Sequence, residues 1–371
     1  MPAYLDHAAT SPLRPEALEA FVAAAGILGN PSSLHRPGQR ARAALEEARE
    51  ELAAAVGAHP SEVLFTSGGS EADAISVLGG WAARRAEGRR RCLVSAVEHP
   101  AVAGAVARGA ETLPVGRDGI VDLGAAEELI DDAVGLVSVL VVNNETGVVQ
   151  PVTAVARMAA ARGAWFHSDA VQALGHVPLD FAADGADLMS LSAHKVGGPV
   201  GVGALLARRE VAPQPIGLGG GQEREVRSGT QAVALAAGFA RAASLAVAEL
   251  AAEAPRLAAL RDEIARIAVA SGATLNSRPD GAPHIVNATF PGVRADDLLF
   301  LLDQRGVHAS VGSACRAGVH QPSEVLLAMG RTPEEATQSV RFSLGRTTSP
   351  ADIALLAEVL PDAVGRACGA A

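Results

Sequence analysis

One lysine closes the stretch "SLSAHK" and is followed by "VGGP", so Lys195 ends an apolar run and is crowded by Ser192, His194 and two glycines. Burying a lysine costs free energy, and neighbours that lower its pKa from about 10.4 turn it into a neutral amine nucleophile, as in Schiff-base enzymes. Upstream, "FTSGGSEADAI" (65–75) runs from a strand through Gly68 and Gly69 into a helix beginning near Ser70. Free N–H groups and the helix dipole make such a turn a phosphate seat, although a plain capped turn reads the same way. No lysine follows the glycines and the GxGxxG pattern is absent, which excludes a Walker loop and gives no support to a nicotinamide cofactor. "HSDAVQ" puts Asp169 at the end of an apolar strand, three residues before Gln172. A carboxylate there caps a helix or holds the proton of a pyridine nitrogen. His99, in "EHP", is either a core histidine or a ring-stacking one. The ten histidines form no HxxxH pair, so a metal site is not expected. Taken together, a phosphate seat, a pyridinium partner, a stacking histidine and a Schiff-base lysine describe a pyridoxal phosphate site.

The elements that must position these groups are readable in outline. The chain has 371 residues, of which 49% are apolar and 3% aromatic, enough for a large core of helices packed closely on strands. A net charge of −10, spread along the chain, disfavours a nucleic-acid groove, which needs clustered lysine and arginine. "MPAYLDHAATSPLRP" has no basic start followed by an apolar stretch, and "LVSVLVV" (136–142) is too short to span a bilayer. The Ala-rich run 231–248 carries Gln231, Arg241 and Ser244 and reads as a packed helix. The expectation is therefore a cytoplasmic protein without a membrane partner. Cys92, Cys315 and Cys368 are far apart, so disulfides are not expected. A strong helix is predicted over 37–58. Beyond it, several short β-rich apolar segments alternate with helical patterns and end in small or polar residues. Apolar on both faces, they predict a covered, mostly parallel sheet whose carboxyl ends hold the ligand. The predicted organisation is a large cofactor-binding α/β domain over 13–250. A smaller α+β domain is formed from 1–12 and 251–371.

The blocks "YLDHAATSPLRPEAL", "GNPSSLHRPG", "FTSGGSEAD", "VEHPAV", "VNNETGVVQP", "HSDAVQALG", "SLSAHKVGGPVGVGAL", "GGGQEREVRSGT", "VGSACRAG" and "VRFSLGRTT" cover nearly the whole chain. In number, order and spacing they resemble the cysteine desulfurases, fold-type I pyridoxal phosphate enzymes of the aminotransferase class V group. The resemblance implies a mostly parallel mixed sheet covered by helices, plus a small α+β domain. It also implies a homodimer that acts on L-cysteine and passes sulfur to an iron–sulfur scaffold or thiolation protein. On matching positions, Lys195 would carry the cofactor and shuttle the substrate α-proton, with His99 stacked on the ring. Asp169 would pair with the ring nitrogen, and Asn144 and Gln172 would lie near the phenolic oxygen. Gly69, Ser70, Ser192 and His194 would hold the phosphate, joined by Thr230 from the other subunit. Arg341, helped by Asn30, would clamp the substrate carboxylate, with Arg346 as the second choice. Cys315 would be the nucleophile, and Pro322, seven positions later, suggests the subgroup with the longer catalytic loop. Arg316, Ala74 and Gly197 depart from the family pattern without removing a catalytic group. A related C–S lyase or selenocysteine lyase, and a non-catalytic sulfur-assembly partner, are the rival readings.

Overall fold

The computed structural model describes residues 2–312 and 321–369. In chain order its strands are β1 (Ala3–Tyr4), β2 (Val63–Thr66), β3 (Arg91–Ser95), β4 (Glu111–Leu113), β5 (Val134–Ser138) and β6 (Trp165–Asp169). They continue with β7 (Leu188–Ser192), β8 (Gly203–Ala207), β9 (Thr274–Leu275), β10 (Ile285–Thr289), β11 (Val307–His308) and β12 (Ser339–Ser343). Seven of them form one sheet in the order β2-β8-β7-β6-β5-β3-β4. Only β8 runs against its neighbours β7 and β2, so the other six strands point the same way and end at one edge. The mixed, mostly parallel sheet expected from the sequence is therefore present.

Helices cover the sheet because its strands are apolar on both faces, and β5, β7 and β8 are buried at every position. The helix Gly69–Ala74 continues through a π turn (Ile75–Gly79) into Gly80–Ala86. The segment expected to be helical over 37–58 is helical from Arg36 to Ala55. A 38-residue helix, Val233–Ala270, packs along Pro15–Ala25 and Arg36–Ala55. Its buried residues include Ala236, Gly238, Ala240, Ala242, Ala243 and Ala246, whose small side chains let helices approach closely. By length and composition alone this helix could cross a membrane.

A second core gathers Leu5, Ile264, Phe290, Leu298, Phe342 and Leu356 around the antiparallel sheet β12-β10-β9. The amino terminus joins this part, with β1 pairing in parallel with β11 and Asp6 bridging to Ser343. The strands β1, β4, β9 and β11 were not expected from the sequence. Each has only two or three residues and exists through its partner rather than through its own pattern.

One buried polar row crosses the large sheet. His167 of β6 bonds Ser138 Oγ through Nδ1 (2.8 Å) and Ser190 Oγ through Nε2 (3.0 Å). Burial pushes the pKa of His167 down to about 3 and that of His176 to about 4. Below the unfolded-state value of about 6.5 the unfolded chain takes up these protons and the native protein does not, so stability falls with pH across the window down to the folded values. At pH 5 each histidine costs about 2 kcal/mol. Urea unfolding is therefore expected to be weaker by about 4 kcal/mol at pH 5 than at pH 7 from these two groups. Buried carboxyls with raised pKa, such as Glu98, act in the opposite sense, so the direct check is NMR titration of the two imidazole rings, which should stay neutral at pH 5; a folded-state midpoint above pH 6 would contradict it.

Candidate active site

Five strands deliver the site. After β2, the chain turns at Gly68 and starts a helix at Gly69, where a side chain would force its neighbours to shift. A Cβ on Gly69 would lie 2.6 Å from Val171 Cγ2 and 3.4 Å from Ser192 Cβ. This is where the ends of β2, β6 and β7 converge, and the glycine leaves the first turn's backbone open to the cavity. After β3, His99 caps Pro100–Ala103, its Nδ1 accepting from the Ala101 N–H (3.2 Å). In the neutral ring that leaves Nε2 as the N–H donor. Burial lowers its pKa, the Asp169 carboxyl opposes this and the Lys195 charge adds to it.

Asp169, at the end of β6, is buried and accepts the Val171 N–H at 2.8 Å. Gln172 Nε2 donates to Ala8 O at 2.9 Å. Past β7, Lys195 Nζ donates to the carbonyl oxygens of Ala8 and Ala9, both at 2.8 Å. Burial, aided by the Arg341 charge and opposed by Asp169 and Asp6, pushes its pKa down to about 8. Lys195 is also the only lysine in the chain, a fact that strengthens its assignment and that needs only the composition to be seen. From β12, Arg341 donates through Nη1 to Asn144 O (2.8 Å) and through Nη2 to Asp6 Oδ1 (2.7 Å). Behind β2, Glu223 accepts from Arg49 (2.9 and 3.1 Å), the Phe65 N–H (3.1 Å) and Gln231 (2.6 Å), which fixes the segment that leads to Thr230.

Gly69, Ser70, His99, Asn144, Asp169, Gln172, Ser192, His194, Lys195 and Arg341 all line one cavity of about 330 Å³. Asn30 and Thr230 do not line it. Both are exposed, with Asn30 Oδ1 accepting the Ser32 N–H (2.9 Å) and Thr230 three residues ahead of the helix Val233–Ala270. Arg346 lines a separate cavity of about 40 Å³ that also reaches Lys195. Cys315 and Arg316 lie outside the described residues, as does most of the loop whose length suggested the subgroup; Gly312, just before them, lines the site. Gly197 has a local reason. Its φ is +81°, and a Cβ would lie 2.8 Å from Arg14 Cγ and 3.0 Å from Pro12 O, so any side chain there is strained and crowded.

The sequence reading missed Asp73, Glu145 and the Ala8–Ala9 carbonyls, all at the cavity. Asp73 had a signal, since it falls one turn after Ser70 on the same helix. Asp6 had none, because its ion pair with Arg341 joins residues 335 positions apart.

With unshifted chemistry roughly 0.4% of a lysine is neutral at pH 8, against about half for a pKa near 8. In the apoprotein, an amine-acylating reagent should therefore label Lys195 with a midpoint near pH 8. A midpoint above 10 would contradict the electrostatics described. No other side-chain amine competes for the reagent, because there is no other lysine.

The aminotransferase class-V family model matches residues 3–356. The IscS-like cysteine desulfurase of Mycobacterium tuberculosis is 48% identical over 384 residues, spanning 100% of this chain and 98% of that relative. The cysteine desulfurase of a Frankia species is 41% identical over 98% of this chain and 91% of its own. Among solved structures, a NifS-like protein has a TM-score of 0.91 at 32% identity, covering 99% of this chain and 100% of that one. The chain belongs to the class-V aminotransferase family, alongside relatives that are cysteine desulfurases.

Proposed function

We propose that this protein is a pyridoxal phosphate-dependent cysteine desulfurase, which takes sulfur from L-cysteine, leaves L-alanine and holds the sulfur as a persulfide on Cys315. The observation that carries the reading is the chain's single lysine, buried at a strand end in one cavity with Asp169 and His99. The residues present fit the cofactor. Gly69 leaves bare backbone where strand ends meet, Asp169 is a buried acceptor for a ring nitrogen, and Lys195 is an amine with a lowered pKa. Lys195 would hold the cofactor covalently, with Asn144 and Gln172 toward its ring oxygen and His99 over its ring. Gly69, Ser70, Ser192 and His194 would hold its phosphate, completed in a homodimer by Thr230 of the partner subunit. Bound there, pyridoxal phosphate supplies an electron sink for charge developing on the substrate α-carbon.

The chain's own groups do the rest. Arg341 is the buried cation that binds the substrate carboxylate, using a guanidinium already oriented by Asn144 O and Asp6. Asn30, exposed in this single chain, is assigned to the same carboxylate on family grounds. Lys195 Nζ takes the α-proton as a neutral amine and returns a proton later, which its lowered pKa permits near neutrality. His99 assists through Nε2, because Nδ1 is engaged by the Ala101 N–H. The Cys315 thiolate attacks the substrate sulfur. A sulfur–sulfur bond forms, the substrate carbon–sulfur bond breaks with its electron pair left on carbon, and protonation there gives alanine. The persulfide then serves an acceptor protein of iron–sulfur assembly or thiolation.

The products test this reading. With L-cysteine and a thiol reductant the protein should release L-alanine and sulfide in equal amounts. Pyruvate and ammonia in place of alanine would identify a C–S lyase.

A further inference from the structure

The proposed function uses one buried carboxyl, Asp169, but two others, Asp73 and Glu98, are grouped with it; Glu145, a further buried carboxyl at the cavity, accepts the Ser323 hydroxyl. Asp73 is 1% exposed, and its Oδ1 has no hydrogen-bond partner among the described residues. Ligand atoms of Asp73, His99 and Asp169 lie within 4.8 Å of one another. Glu98 is 4% exposed. Its Oε1 accepts from Ser95 Oγ (2.8 Å) and the Leu140 N–H (2.8 Å), while Oε2 has no partner among the described residues.

The three are not equivalent. Burial pushes Asp169 upward as well, but Asp169 is opposed in this by the charge of His99, the Val171 N–H that it accepts and the charge of Lys195. Asp73 faces Asp169 and His167 from β6, Ser190 from β7, and Glu98 and His99 from the segment after β3. His167, 3.7 Å from Asp73 Oδ1, brings no charge, because burial keeps it neutral. Neighbouring buried carboxylates do not ionise together, and a buried charge without a partner is strongly disfavoured.

We propose that these three carboxyls carry a single negative charge, located on Asp169, and that Asp73 and Glu98 are neutral acids that position it. Burial and the Asp169 charge both push Asp73 and Glu98 upward, Glu98 to about 8. Each orphaned oxygen is then a place for the acid proton rather than an uncompensated anion. The arrangement delivers one charge to a ring nitrogen and no second charge to repel it. The functional part of this inference rests on the cofactor reading, whereas the protonation states belong to the protein alone.

Infrared difference spectra of the apoprotein near pH 6.5 test it without cofactor. Wild type minus Asp73→Asn and wild type minus Glu98→Gln should each show the loss of one protonated-carboxyl C=O stretch. Wild type minus Asp169→Asn should show the loss of carboxylate stretches instead. A carboxylate band lost in Asp73→Asn, or a protonated band lost in Asp169→Asn, would overturn the assignment. Failure of Asp73→Asn or Glu98→Gln to fold would also count against it, because the amide reproduces a neutral acid in size. In the holoenzyme, the pH midpoint of the cofactor's visible absorption should be kept in Asp73→Asn and Glu98→Gln. It should move by roughly one unit, tenfold in proton affinity, in Asp169→Asn. A shift of that size in Asp73→Asn would place the charge on the wrong carboxyl.

Discussion

Lys195→Ala should lose turnover of L-cysteine by at least about 10⁴-fold and should lose every cofactor linkage that borohydride can trap on a side chain. Two functions vanish with one amine: covalent attachment and movement of the α-proton. No substitute is available, because the chain contains no second lysine, and the remaining amine is at the amino terminus. The variant also gives up two hydrogen bonds to Ala8 and Ala9. Removing a buried cation near Arg341 offsets part of that loss, so the fold is expected to persist. Peptide mapping after borohydride reduction checks the claim. The wild type should carry the reduced cofactor on the peptide containing Lys195, and the variant should carry none. A trapped adduct in the variant would remove Lys195 from the mechanism.

Cys315→Ser should separate binding from sulfur transfer. The groups proposed to hold cofactor and carboxylate, Lys195, Asp169 and Arg341, are untouched, so loading with cofactor and binding of L-cysteine should stay close to wild type. Persulfide formation should disappear, because a serine hydroxyl is a far weaker nucleophile toward sulfur. A thiol of ordinary pKa is a few per cent ionised at pH 7. Cys92 cannot replace it. It is buried in β3, and burial, with help from Glu111, pushes its pKa up to about 12, leaving roughly one part in 10⁵ as thiolate at pH 7. Cys368 is exposed on the last helix, Pro350–Gly369, and does not line the cavity. Alanine production at the wild-type rate by the serine variant would contradict this assignment.

The residues that line the cavity were more legible in the sequence than the framework around them. Lys195, Asp169 and His99 were legible because each follows an apolar run, and parallel strands that end together bring such residues to one edge. The reversed direction of β8 was not legible, since a strand buried on both faces has the same pattern in either orientation. Strands of two or three residues had no period to detect. The anchoring of Arg341 by Asp6 depends on the first residues folding back onto β12, a contact that local sequence cannot encode. Asp73 and Glu98 stood inside motifs already noted, yet only their burial and orphaned oxygens distinguish them from surface acids. Thr230 belongs to a different category. It is exposed on one chain, and the role proposed for it depends on a second copy.

The central claim, that sulfur from L-cysteine passes to Cys315 while alanine is left behind, is tested most directly by mass spectrometry of the cofactor-loaded wild type. The protein is exposed briefly to L-cysteine and digested under conditions that preserve persulfides, with released amino acids measured in the same sample. The account predicts one added sulfur on Cys315, none on Cys92 or Cys368, and one L-alanine for each persulfide formed. Sulfur appearing first on Cys92 or Cys368, or pyruvate in place of alanine, would contradict it.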